Sequence, residues 1–174
     1  MPAFVRPLIP AIVSDIWGSD RSYRGAGKTH EGMDFQAPPG TPIYAIESGR
    51  VITSKLSGGP EGEYIKLDHG SGWESLYMHL SRRLVKTGAT VSRGQKIGLS
   101  GATGIKKSMP HLHLTLKRHG RPIPGEPHIP IDDFKSPELA KLAQSRGLSI
   151  VKHAGMGLGV IALLVGVLWF ISRR

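Results

Sequence analysis

Pro110-His-Leu-His-Leu-Thr-Leu-Lys117 alternates without a break, with His111, His113 and Thr115 on one side of an extended chain and Leu112, Leu114 and Leu116 on the other. Such period-two patterning predicts a strand whose leucine face meets a core. The histidine face is then left for a site, because two imidazoles two residues apart gain nothing from burial unless something binds them. Outward from this stretch the same pattern repeats in short runs separated by Gly, Pro and Asp: Thr41 to Ile46, Gly49 to Thr53, Glu63 to Asp68 and Trp73 to Leu80. With 23 Gly and 13 Pro in 174 residues, tight turns between short strands are expected, and the fold class predicted is all-β, a compact antiparallel domain over residues 21–131.

Two further strands carry histidines. In Trp73-Glu-Ser-Leu-Tyr-Met-His-Leu80, alternation predicts an apolar face of Leu76, Met78 and Leu80, with Tyr77 and His79 opposite. In His30-Glu-Gly-Met-Asp34, an extended chain directs His30 and Asp34 the same way across Gly32, where a bulkier residue would crowd a metal held between them. The chain has no cysteine, so disulfides and thiolate sites are excluded and any metal must be held by His and carboxylates. Three histidine-bearing elements, each on a strand with an apolar face, supply two His and one Asp as ligands with two His to spare. Three protein ligands and an open position describe a catalytic zinc site.

The formal charge of +10 favours anionic partners such as lipid head groups or wall polymers, and no nucleic-acid motif accompanies it, so no nucleic-acid partner is expected. Residues 1–20 read as an irregular, proline-punctuated segment without a secretory leader. Residues 132–153 read as a linker with a short helix, in which Ser136 is the N-cap, Pro137 the first helical residue, and Leu139, Leu142 and Ala143 one face. Residues 154–171 are uncharged and mostly apolar, and about 27 Å of helix at 1.5 Å per residue predicts one C-terminal transmembrane helix, the expected membrane anchor. Residues 172–174 form a basic tail. Oligomeric state has no signature in the sequence.

His30-x-Gly-x-Asp34-Phe-x-Ala-Pro-x-Gly-Thr-Pro42, Leu67-Asp-His-Gly70, Tyr77-x-His-Leu80, Gly94-Gln-x-Ile-Gly98 and His111-Leu-His113 occur in that order. Together they resemble the lysostaphin-type, or LytM-type, zinc endopeptidases of peptidoglycan, over about Arg21 to Lys117. The resemblance implies a compact antiparallel β fold carrying a groove, with Zn2+ held by His30, Asp34 and His113. It implies that His79 and His111 are the unliganded catalytic histidines and that peptidoglycan peptides are the substrate. Two positions depart from the family pattern: Met109 stands where a glycine is usual, and Leu114-Thr115 where an aromatic residue and a glutamate are usual. His69 is expected to shape a turn, and His119, His128 and His153 to lie at the surface. A wall peptidase should face the wall, and the missing leader raises the expectation of a phage virion or lysis protein carrying its peptidase on a membrane.

Two other readings share the motifs. A catalytically inactive wall-binding or regulatory module of the same fold would be expected to lose ligands, and all five site residues are present. Ala45-x-x-x-Gly49-x-Val51 and Val91-x-x-Gly94-x-x-Ile97-Gly98 echo a biotinyl- or lipoyl-carrier barrel, but no Met-Lys acceptor sits in a suitable hairpin.

Overall fold

Residues 2–22, 25–104 and 109–145 are described by a computed structural model. In chain order they form β1 (Ile12–Asp15), β2 (Met33–Gln36), β3 (Pro42–Tyr44), β4 (Gly49–Leu56), β5 (Glu63–Asp68) and β6 (Trp73–Arg83). Then follow β7 (Thr90–Val91), β8 (Lys96–Ser100), β9 (His111–Arg118), β10 (Arg121–Ile123), β11 (Asp133–Phe134) and the helix α1 (Pro137–Ser145). The strands make one sheet in the order β11-β1-β2-β9-β6-β5-β4-β7, with β10 on β9 and β8 joining β3 to β6. Among the described residues the pairings are antiparallel except β1 with β11, which run parallel.

The order places β9 between β2 and β6, and the register decides which side chains meet. Asp34 lies opposite His113, which in turn lies opposite Met78; Gln36 lies opposite His111 and Leu76 opposite Thr115. Directly opposed residues share a face, so Asp34, His113 and Met78 form one row. On the other face Phe35 meets Leu112 and Tyr77 meets Leu114. Leu112, Leu114 and Leu116 are 0–1% exposed, and each such burial contributes about 1.5–3 kcal/mol relative to exposure. The leucine face therefore anchors β9 and holds its histidines outward.

The expected alternation in β6 is corrected. Trp73, Ser75 and Tyr77 face the core while Leu76 and Met78 are half-buried on the site side, and His79 and Leu80 are both buried in succession. His79 has φ 62, and the β5–β6 register shifts between Glu63 and Ile65. A left-handed residue at a bulge breaks the period of two and re-aims its side chain.

Tyr77 carries its hydroxyl into the core, where it accepts from the Ile46 N–H at 2.9 Å and lies 3.1 Å from the Ser75 hydroxyl. Ser75 Oγ is 2.7 Å from His69 Nε2, and His69 Nδ1 donates to the Ser48 carbonyl at 2.9 Å. A carbonyl only accepts, so Nδ1 holds the ring proton, Nε2 accepts from Ser75, and Ser75 accepts from Tyr77. Burial pushes the His69 pKa down, in keeping with that neutral ring. His69 thus ties residues 46–48 to β5 and β6 and does more than shape a turn.

The segment 1–20 is not an irregular lead-in: its described residues supply β1 and bury Phe4, Leu8, Ala11, Val13 and Ile16. Likewise β11 pairs with β1, and α1 turns Ala143 and Ala140 to the core while Leu142 is 40% exposed, so Leu142 is not on the buried face. The expected transmembrane helix is corrected as well. Among the described residues no helix is long and apolar enough to cross a membrane. The nine residues of α1 reach about 14 Å, against about 30 Å of hydrocarbon. Residues 154–171, on which that expectation rested, lie outside the described residues, as does His153. What is described is a β domain with one short helix.

Candidate metal and catalytic site

His30, Asp34 and His113 converge. His30 precedes β2 in a non-strand stretch that bends at Gly32, so it reaches Asp34 by that bend and not by strand alternation. A Cβ on Gly32 would lie 2.6 Å from His113 Nε2 and 2.7 Å from the Leu114 carbonyl oxygen. The glycine therefore makes room for the His113 ring itself, which differs from the metal-crowding reason expected. Gly32→Ala should destabilise the fold by about 1–3 kcal/mol, the usual range for overpacking, and weaken metal binding by displacing His113. Thermal unfolding and zinc titration of the full chain measure both, and parent-like values in the two would refute this role.

The ring tautomers follow from fixed acceptors. His30 Nδ1 donates to the Ile16 carbonyl at 2.9 Å, which leaves the Nε2 lone pair pointing inward. That atom is 3.0 Å from His113 Nδ1 and 3.2 Å from Asp34 Oδ1, and the latter two are 2.8 Å apart. Ligand atoms about 2.0–2.1 Å from a tetrahedral zinc stand about 3.3 Å from one another. A triangle of 2.8–3.2 Å sides comes close to that edge, and two imidazoles with one carboxylate are a donor set that suits zinc. The residues fit the ion.

Electrostatics supports the same reading. Burial pushes the Asp34 carboxyl up, but hydrogen bonds and charge from His113 and His30 outweigh it and hold the group well below the usual carboxylate range. Its outer oxygen, Oδ2, accepts from Arg21 Nη2 at 3.1 Å, and Arg21 also pairs with Asp15. Burial is also the main reason the His113 pKa is lowered. The trio thus offers one carboxylate and two imidazole nitrogens.

His79 and His111 stand beside this triangle. Their ring centroids are 4.7 Å apart, and His79 is 5.9 Å from His113. His79 Nδ1 donates to the Thr103 carbonyl at 3.0 Å and His111 Nδ1 to the Met109 carbonyl at 2.7 Å. Both rings, when neutral, therefore carry the Nε2 lone pair on the side away from those carbonyls. His111 Nε2 lies 3.8 Å from Asp34 Oδ1, too far to share the triangle. Burial, then the charge of His111, pushes the His79 pKa down to about 4, so His79 is neutral at pH 7 and able to accept a proton.

All five residues singled out in the sequence lie together. His128 is elsewhere, half-buried with its ring 5.4 Å from Trp73, and exposed His119 sits beside Gly72 at the turn after β9. Sequence reading missed the groups that orient the site: the Ile16, Thr103 and Met109 carbonyls, Arg21, and Thr115, whose Oγ1 is 3.0 Å from His113 Nε2. The carbonyls had no signal, since backbone acceptors carry no residue type. Thr115 had one, as the next residue on the histidine face.

Comparison with known proteins gives a consistent result. Residues 28–124 match Peptidase family M23. Peptidoglycan DD-endopeptidase ShyA of Vibrio cholerae is 46% identical over 94 residues, covering 54% of this chain and 21% of that protein. A zinc-containing peptidase from Vibrio cholerae superposes with TM-score 0.62 and 35% identity over 70% of this chain and 39% of the other. The catalytic domain of lysostaphin from Staphylococcus simulans gives TM-score 0.60 and 33% identity over 67% of this chain and 90% of that domain. The chain spans about a quarter or less of the length of the curated relatives first matched.

Proposed function

The chain belongs to peptidase family M23, and from that premise we propose that it is a zinc-dependent endopeptidase hydrolysing peptide bonds in the stems or cross-bridges of peptidoglycan, with the cell wall as its place of action. The observation that carries this reading is the meeting of His30 Nε2, Asp34 Oδ1 and His113 Nδ1 at 2.8–3.2 Å from one another, beside two further histidines. In this reading His30, Asp34 and His113 hold the ion. Bound zinc supplies a Lewis acid that polarises a carbonyl and eases removal of a proton from water. His79 and His111 act on the proton and on the developing negative charge. A neutral ring takes a proton on Nε2, and a protonated ring donates from Nε2 to an oxyanion or to the leaving amine. Their Nδ1–H bonds to Thr103 and Met109 fix the rings for this work. The formal charge of +10 suits an anionic wall.

Amide hydrolysis consumes one water and yields one carboxylate and one amine. Purified full chain incubated with purified peptidoglycan should release soluble fragments with new free amino groups and no new reducing ends. A chelator should stop the release and added zinc restore it. Wall binding without new amines would support the inactive module instead, and new reducing ends would mean glycan cleavage.

A further inference from the structure

We propose that Thr115 is a positioning residue that sets zinc affinity by letting His113 exchange its ring tautomer, an inference that rests on the zinc reading above. Thr115 is 3% exposed, sits two residues beyond His113 on the same face of β9, and has its Oγ1 3.0 Å from His113 Nε2. Among the described residues no other hydrogen-bond partner of this hydroxyl is present.

The chemistry of the two ends of the ring explains the choice of group. Asp34 Oδ1 only accepts, and so does His30 Nε2, whose ring proton is committed to Ile16. With the His113 proton on Nδ1, that one N–H serves both acceptors, and Nε2 becomes a lone pair that needs a donor. With Nδ1 given to a cation, the proton moves to Nε2, which then needs an acceptor. A hydroxyl is donor and acceptor and rotates to suit either tautomer. A carboxylate here would only accept and so would lock the metal-binding tautomer, while an apolar group would leave a buried ring nitrogen unsatisfied in both. His113 cannot evade the choice by swinging away, because its Nε2 edge is packed over Gly32.

The test uses the full chain and three variants, Thr115→Val, Thr115→Ser and Thr115→Asp. Zinc affinity is read by competition with a chromophoric chelator, and the His113 tautomer by 15N chemical shifts before and after zinc. Valine preserves the shape and should weaken zinc about 10–100-fold, the scale for losing the partner of a metal-bound histidine; serine should restore parent affinity. Aspartate should bind zinc more tightly than the parent and show the Nε2–H tautomer before zinc is added. The parent should move from Nδ1–H to Nε2–H on binding. Parent-like affinity in folded Thr115→Val, or a parent already in the Nε2–H form without zinc, would overturn the proposal. Should valine fail to fold, the serine and aspartate arms and the parent's tautomers still decide it. A parent that binds no zinc at all would overturn the functional reading, and this inference with it.

Discussion

Replacing His113 by alanine is expected to remove most of the zinc and all but a trace of peptidoglycan hydrolysis. His113 supplies one corner of the ligand triangle, with Nδ1 2.8 Å from Asp34 Oδ1 and 3.0 Å from His30 Nε2. Apparent zinc free energies of about 10–16 kcal/mol in four-ligand sites assign each ligand about 2.5–4 kcal/mol. One lost ligand therefore weakens zinc by about two to three orders of magnitude. The loss also removes the partner whose hydrogen bond and charge help hold Asp34 ionised against burial, so the remaining pair is a poorer site than two-thirds of the original. Metal analysis of the purified full chain after dialysis gives the first readout and amine release from peptidoglycan the second. Unimpaired folding is checked by thermal unfolding. Unchanged zinc content in the variant would sink the ligand assignment. For the parent the sign with pH also follows. Protons compete with zinc for imidazole nitrogen, so affinity should fall on acidification. The lowered pKa of buried His113 shifts its share of that competition below the ordinary imidazole range.

His79→Ala and His111→Ala should separate chemistry from metal binding. Each should keep zinc and lose at least about a hundredfold in amine release, the scale of a general acid–base residue. Zinc should stay because neither Nε2 belongs to the triangle, that of His111 being 3.8 Å from Asp34 Oδ1. Activity should fall because both rings are fixed through Nδ1 with Nε2 turned away from the backbone carbonyls they bond. His79 has a second mark of function: it is a non-glycine residue at φ 62, buried at 3%, on a bulge that interrupts an eleven-residue strand. Such backbone costs of order 1–3 kcal/mol and persists where surrounding structure enforces it. Zinc lost from His111→Ala would make His111 a ligand. Parent-rate hydrolysis by either variant would remove that ring from the mechanism.

The candidate site was legible in the sequence to different depths. His111 and His113 were readable because a strand whose other face is leucine has only one place to put its histidines. His30 and Asp34 were named together, but by extended-chain alternation, whereas a bend at Gly32 brings them together. Alternation failed in β6, where Tyr77 went to the core and Leu76 and Met78 to the site side. A left-handed residue at a bulge leaves no signature in hydropathy, since His79 is an ordinary residue type for a strand. The segment 1–20 is underread for another reason: Pro7 and Pro10 suggest irregularity, yet Phe4, Leu8, Ala11, Val13 and Ile16 around them reach the core.

By itself, the sequence determined which residue types carry chemistry, that any metal is held by nitrogen and oxygen, and that short strands with apolar faces build the domain. Those are local facts, set by side-chain identity and by the period of two. Only the tertiary structure decided the partners. The antiparallel register of β2, β9 and β6 puts Asp34 beside His113, the bulge turns His79 toward His111, and carbonyls from Ile16, Thr103 and Met109 select the ring nitrogens. Register and bulges arise from pairing between segments far apart in the chain, and a backbone carbonyl reads the same in every residue. The direction of a lone pair is thus a property of the fold.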